Sequence, residues 1–352
     1  MRVLFARIFL AGASAVALLF PGASAQAAGT WHEVPLPALW PQNFLYELEA
    51  AGPDDVWIGG GQGRFCIRGP APYSCLLSSV GNPVVRRWDG GRWVEYPLRN
   101  LPAKTGPIDD LGAIPGEVWV HSFVQLDQPE YLARFDGTAF QKVEPPAPRA
   151  VALSVNPAGI WIRGTGSQYR WNGSGWTLTP MPAGSSGISG EVLSKSPTEA
   201  WGLSIEGQVS SLLRWNGTAW TKVTDIPKPG EWDFVREIAV RAPGEVWALQ
   251  EPRGDTSPSR VFRYHNGAWT EQTPPVPARL YSLRVDGLGR LVADGYPIQT
   301  PTVAATFRFT GTGWVAEPPP APGVSSAGFV GVPGTDLLWG FASYPAKVFT
   351  NS

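Results

Sequence analysis

One short segment, Arg214-Trp215-Asn216-Gly217-Thr218-Ala219-Trp220, constrains this chain more than any other. An Asn-Gly pair accepts positive φ at little steric cost and reverses the chain between two strands. Tryptophans on either side of that turn then meet as a cross-strand pair. The pattern repeats. A basic residue, an aromatic and a Gly turn recur as Arg87-Trp88-Asp89-Gly90, Arg134-Phe135-Asp136-Gly137 and Arg170-Trp171-Asn172-Gly173. They return as Arg263-Tyr264-His265-Asn266-Gly267 and Arg308-Phe309-Thr310-Gly311. A second aromatic follows each turn, at Trp93, Phe140, Trp176, Trp220, Trp269 and Trp314.

A second column precedes each hairpin: Asp55-Val56-Trp57, Glu117-Val118-Trp119, Gly159-Ile160-Trp161, Glu199-Ala200-Trp201, Glu245-Val246-Trp247, Arg290-Leu291-Val292 and Leu337-Leu338-Trp339. An alternating apolar run and a Pro or Gly turn lie before it. One unit therefore reads as four strands in about 40–50 residues, the period of a propeller blade. The abundance of Gly (41) and Pro (36) punctuates strands and leaves little room for helices, so the class is all-β.

The seventh Val-Trp column has no complete hairpin. The chain ends Lys347-Val348-Phe349-Thr350-Asn351, a third strand cut at its turn, while Thr30-Trp31-His32-Glu33-Val34 reads as an orphan fourth strand. Joining them closes a seven-bladed ring and leaves no inter-blade edge unpaired. The expected blades span residues 38–98, 99–148, 149–182, 183–228, 229–277, 278–321, and 322–352 with 29–37.

Arg2 and Arg7 flank the start of an apolar run from Ile8 to Phe20. It is broken by Pro21-Gly22 and followed by Ala23-Ser24-Ala25. The run is short of the ~20 residues of a spanning helix and matches a secretory signal peptide cleaved near Ala25. The expectation is residues 1–25 as signal peptide and 26–352 as one propeller domain, secreted to the extracellular space or periplasm, monomeric and without a membrane span. Cys66 and Cys75 share one insertion of the first blade, and an oxidising compartment makes a disulfide between them the default. A formal net charge of −1 argues against nucleic acid as partner.

Fifteen of the 17 tryptophans fall in the repeat columns, where packing between blades explains them. Trp40 and Trp232 do not. Both precede an innermost strand, as Phe44 and Phe234 do, on the rim around the mouth of the central channel. The candidate ligand-binding set on that rim is Trp40, Phe44, Tyr46, Asp109, Asp110, Glu191, Trp232, Arg236, Glu237, Tyr281 and Arg284, with Glu47 beside it. The recurring acid before the Val-Trp column suits a turn-stabilising carboxylate. His32, His121 and His265 occupy different places in the repeat, which does not make a zinc site. No nucleotide-binding or hydrolase fingerprint is present, and no metal or cofactor is expected.

With Asp55-Val56-Trp57-Ile58-Gly59-Gly60 and Trp88-Asp89-Gly90-Gly91-Arg92-Trp93, the chain resembles a family of secreted bacterial β-propellers. Their blades carry D-V-W-x-x-G and W-D/N-G-x-x-W. It is distantly similar to Kelch repeats such as those of the galactose oxidase propeller, although the double glycine stands only in the first blade and no copper-ligand set maps. The resemblance implies fold and export. The functional expectation is a non-enzymatic binding module for an extracellular glycan or protein. The alternative is a polysaccharide hydrolase or lyase working through Asp110, Glu191 or Glu237.

Overall fold

Each expected hairpin forms. Trp215 lies opposite Trp220 with ring centroids 5.7 Å apart. Asn216 Oδ1 closes the turn by accepting the Thr218 and Ala219 N–H groups, each at 3.0 Å. Gly217 has φ +102°, where a Cβ would be strained. The same pairing joins Trp88 to Trp93, Phe135 to Phe140, Trp171 to Trp176, Tyr264 to Trp269 and Phe309 to Trp314.

These six hairpins are the outer halves of six of the seven four-stranded antiparallel sheets arranged in a ring, a seven-bladed β-propeller. The computed structural model describes residues 31–37, 43–69, 75–79, 81–123, 130–228, 230, 233–252, 257–274, 277–300, 305–317, 328–343 and 346–351. The expected signal segment, Trp40 and Trp232 lie outside the described residues, among which there is no helix. The inner strands are Phe44–Gly52, Asp110–Ile114, Val151–Asn156, Leu193–Ser196, Phe234–Ala242, Ala278–Val285 and Gly328–Gly331. Each touches the next, and the seventh touches the first.

The ring closes as the sequence predicts. His32–Val34 runs antiparallel to Lys347–Thr350, pairing His32 with Thr350 and Val34 with Val348. Lys347 Nζ sits 2.7 Å from Glu33 Oε2. Val34 and Val348 are buried in one cluster with Leu45, Leu48, Trp93 and Trp339, so the closing strand also feeds the core between the last and first blades. Trp31 differs from the other fourth-strand aromatics by packing on Phe329, at 5.8 Å.

The Val-Trp column holds neighbouring blades together. Trp57 packs edge-on against Phe135 and Phe140 of the second blade, and Trp119 against Trp171 and Trp176 of the third. Trp161 meets Trp215 and Trp220, Trp201 meets Tyr264, and Trp247 meets Phe309 and Trp314. Trp339 reaches across the closure to Trp88 and Trp93. Burying one such ring removes ~150–250 Å² from water, an upper bound of about 4–6 kcal/mol. At the sixth blade Val292 replaces the tryptophan.

The recurring acid does more than stabilise a turn. It lies two residues before its tryptophan, on the same face of the strand. Asp55 Oδ1 accepts from both Trp57 Nε1 and Arg87 Nε, each at 2.7 Å. Glu117, Glu199 and Glu245 repeat the bridge to Trp119 and Arg134, Trp201 and Arg214, and Trp247 and Arg263. In the third blade Gly159 replaces the acid. Arg170 turns to the Ala158 carbonyl, and the Trp161 N–H has no hydrogen-bond partner among the described residues.

The insertion of the first blade is a hairpin, Phe65–Arg68 with Cys75–Ser79. It sets Cys66 opposite Ser78 and Cys75 opposite Arg68. Deleting residues 31–37 is expected to leave Lys347–Thr350 as an open edge. Calorimetry should show a lower, broader melting transition, and size-exclusion chromatography should show association. An unchanged monomer with the wild-type profile would refute the closure's role.

Candidate functional site

The two faces of the ring differ. One carries the first-to-second and third-to-fourth strand turns, which are short and built from Asx and Gly residues. The other, called here the entry face, carries the links into each inner strand and the second-to-third strand loops. All four exposed aromatics among the described residues (Tyr46, Phe65, Phe234 and Tyr281) belong to the entry face. With Ile67, Leu101, Ile205 and Val209 they account for eight of the eleven exposed large apolar side chains described.

Three β-bulges aim the mouth residues. The pairing register shifts between Leu45 and Glu47, between Val235 and Glu237, and between Leu280 and Ser282. The extra residues are Tyr46, Arg236 and Tyr281, turned outward because a bulged residue leaves the ladder. Tyr281 stacks at 5.5 Å on Tyr296. Arg236 donates to the Tyr281 carbonyl and to Glu251, each at 2.7 Å, and Glu251 also pairs with Arg279 at 2.8 Å. Phe44 is 6% exposed: its ring lies edge-on to Tyr46, beneath Arg64, where Gly61 leaves it room.

Below the mouth is a cavity of about 480 Å³, lined by inner strands of all seven blades. Its charged lining is Glu47, Glu49, Asp110, Glu191, Lys195 and Arg284. Glu47, Glu49 and Arg284 are only partly open to the channel and otherwise walled in by protein. Burial, reinforced by Glu191, pushes the Glu49 carboxyl up to about 8. Burial and then the charges of Glu191, Asp110 and Glu49 lift Glu47 well above the usual range. The Arg284 guanidinium is held still more firmly charged, chiefly by Glu237, then by Glu191, Glu47 and Glu49. Burial depresses Lys195.

Two other predicted site residues, Asp110 and Glu237, hold neighbouring blades together. Asp110 Oδ2 accepts the Leu153 N–H of the next blade at 3.0 Å. Ser154 Oγ accepts from Val192 N–H at 2.9 Å, and Glu237 accepts from Leu283 N–H. Asp109 accepts from Phe123 N–H at 2.9 Å, and burial lifts its carboxyl to about 6. Behind Asp110, the fully buried His121 places Nε2 3.0 Å from Glu130 Oε1 and Nδ1 3.5 Å from Asp110 Oδ2. Burial opposes a charge on His121, but the two carboxylates outweigh it and raise its pKa. Asp294, which accepts from Ser282 Oγ, is pushed up to about 7 by burial and then by Glu237.

Sequence reasoning overlooked Glu49 and Lys195 in the channel and the His121–Glu130 clamp. Glu49 was findable: Glu47 and Glu49 alternate with Leu48 on a strand, so both share its channel face. Among the described residues no group of three or more His, Cys, Asp or Glu is placed to hold a metal ion. No described helix is long and apolar enough to cross a membrane.

Geometry and fold together define the class as a seven-bladed β-propeller with a charged channel mouth. No family model and no curated protein matches the chain. Solved structures do match its fold. YCF48 bound to D1 peptide aligns at 12% identity with a TM-score of 0.59, over 91% of this chain and 96% of that one. A Mycobacterium tuberculosis puromycin-hydrolyzing peptidase aligns at 14% identity and a TM-score of 0.61, over 91% of this chain and 54% of that one. The extracellular domain of a putative one-component system from B. thetaiotaomicron aligns at 12% identity and a TM-score of 0.56, over 91% and 40%. This chain thus spans about half the peptidase and two fifths of the one-component system.

The raised groups give pH dependence a sign. A carboxyl that holds its proton more tightly in the folded chain contributes stability in acid and loses it as pH rises through the folded pKa. Glu49 loses its share between the ordinary carboxylate range, ~4.3, and about 8, and Asp294 between ~3.9 and about 7. The raised His121 acts in the same direction, its contribution being lost as pH climbs through its folded pKa. Glu49→Gln should therefore flatten the decline in melting temperature between pH 5 and pH 9, with its gain over wild type confined to the alkaline side. Parallel wild-type and variant curves would show that Glu49 does not titrate as described.

Proposed function

We propose that this protein is an exported binding module whose entry face takes an extracellular glycan or protein ligand. The observation that carries the reading is the concentration of exposed aromatic side chains on that face. Their positions at bulges and loops fall outside the inter-blade packing columns, so the repeat gives no reason for them. Loops on a rigid scaffold are where binding residues are commonly found. Trp40 and Trp232, outside the described residues, precede the inner strands of the first and fifth blades in sequence and are included in the proposed site. The amino-terminal residues support export as a signal peptide, with residues 26–352 as one domain and a monomer as the working unit. A Cys66–Cys75 bridge would staple the Phe65 hairpin, each of whose strands carries one of the cysteines.

The polysaccharide hydrolase or lyase alternative draws on the raised carboxyls of the channel, since perturbed acids in a cavity are candidates for proton transfer. Against it, Asp110 and Glu237 already accept backbone N–H groups from the next blade. Glu191 remains the better candidate.

A glycan array and a panel of extracellular proteins, probed with wild type and three variants, test the reading. Tyr46→Ala/Phe234→Ala/Tyr281→Ala and Trp40→Ala/Trp232→Ala should each weaken binding by tenfold or more, while Leu288→Ala on the opposite face leaves it intact. Binding that survives both multiple variants would remove the entry face from the account. Release of new sugar ends by wild type would favour the enzyme.

A further inference from the structure

We propose that the channel mouth receives a cation, the protruding lysine or arginine side chain of a protein partner. This deepens the binding reading above and rests on the entry face being the one used. Several acids of this chain have cationic partners. Asp55, Glu117, Glu199 and Glu245 are each bridged by an arginine, Asp286 by Arg290 and Arg308, and Glu251 by Arg236 and Arg279. Glu47, Glu49 and Glu191 are different. All three line the cavity, and among the described residues none makes a hydrogen bond or a close ion pair.

An enclosed carboxylate without a partner is costly, and a chain that pairs its other enclosed acids leaves the half-buried Glu47 and Glu49 facing one space with the exposed Glu191. Arg284 is the nearest internal cation, but Glu237, Glu191, Glu47 and Glu49 all share its single charge. Lys195 adds a second, weakened by burial. With its carboxylates ionised, the lining keeps an excess of acid over Arg284 and Lys195 that one more positive charge would reduce.

Size and surroundings decide which cation. A cavity of about 480 Å³ lies within the ~300–1,000 Å³ range of ligand pockets, and no described group is placed to hold a bare metal ion. Tyr46 and Tyr281 stand exposed at the mouth, where aromatic faces attract cations and cover aliphatic stems. Phe234 and the Phe65 hairpin extend an apolar surface outward. An acidic well with Tyr46 in its wall and further exposed aromatics on the same face suits a side chain carried on a protein surface better than a free ion.

Occupation must also expel protons. With its carboxyl pushed up to about 8, Glu49 is mostly protonated at neutral pH, facing Glu47, Asp110 and Glu191 on one side of the balance and Arg284 and Lys195 on the other. A cation entering the mouth favours the ionised form, so affinity should rise with pH until Glu49 is fully charged.

The test uses the mature chain and three capped pentapeptides, Gly-Gly-X-Gly-Gly with lysine, arginine or norleucine at X, titrated by NMR at pH 6 and pH 9. The lysine and arginine peptides should bind at least tenfold more tightly at pH 9. Glu49→Gln/Glu191→Gln should weaken them tenfold or more without lowering the melting temperature, and the norleucine peptide should not bind. The proposal is overturned if the lysine peptide fails to bind at pH 9, if norleucine binds equally well, or if the double variant binds like wild type. Spermidine or calcium binding that depends on Glu49 and Glu191, with no peptide binding, would overturn it in favour of a free cation. Norleucine binding that is lost in Tyr46→Ala/Phe234→Ala/Tyr281→Ala would keep the entry face and remove the cation. Cationic-peptide binding indifferent to that triple variant would keep the charged well and remove the aromatic face.

Discussion

One aromatic contact, repeated around a circle, underlies the rest of this structure: the tryptophan on each blade's second strand set against the hairpin aromatics of the next blade. Six blades make it, and the sixth pair crosses from the last blade to the first, where Trp339 meets Trp88 and Trp93. A four-stranded blade cannot bury its own faces. Stacking on a neighbour does so, and stacking all the way round removes the exposed ends. In four blades the acid two residues before the tryptophan completes the contact by satisfying its indole N–H and pairing with an arginine. The Arg87, Arg214 and Arg263 guanidinium carbons lie 5.7–5.8 Å from the ring centroids they cover. Packing and polar satisfaction are thus solved by the same few positions in these four blades.

That division of labour frees the other end of the ring. Because the aromatic boxes sit toward the short-turn face, the entry-face loops vary from blade to blade without loosening the ring. Inter-blade hydrogen bonds from Asp110, Ser154 and Glu237 hold the inner strands in place. At the position equivalent to Glu237, Glu47 has no such bond and faces the channel. The same strand position thus serves as a latch in the fifth blade and as part of a charged well in the first.

Much of this was legible in the sequence, for a physical reason. A contact made once per blade must be written once per blade, so the hairpins, the Val-Trp column and the split seventh blade can be read by counting. Features that break the repeat could not be counted. The bulges that turn Tyr46, Arg236 and Tyr281 outward leave no signal of their own, and Phe44 reads as a rim aromatic until Gly61 is seen to admit its ring. In sequence the acid column reads as a turn device, because its partners, an indole two residues on and an arginine on the neighbouring strand, become visible only once the register is known. Glu49 was missed although strand alternation places it beside Glu47. Trp40 and Trp232, which break the pattern most plainly, lie outside the described residues.

The central claim is that blades are held to their neighbours by the tryptophan boxes. A double-mutant cycle on Trp247 and Phe309, whose rings are 4.8 Å apart across the fifth and sixth blades, tests it most directly. Equilibrium unfolding of Trp247→Leu, Phe309→Leu and the double variant should yield a favourable coupling energy of about 0.5–1.5 kcal/mol. Additive effects, with no coupling between the two rings, would contradict it.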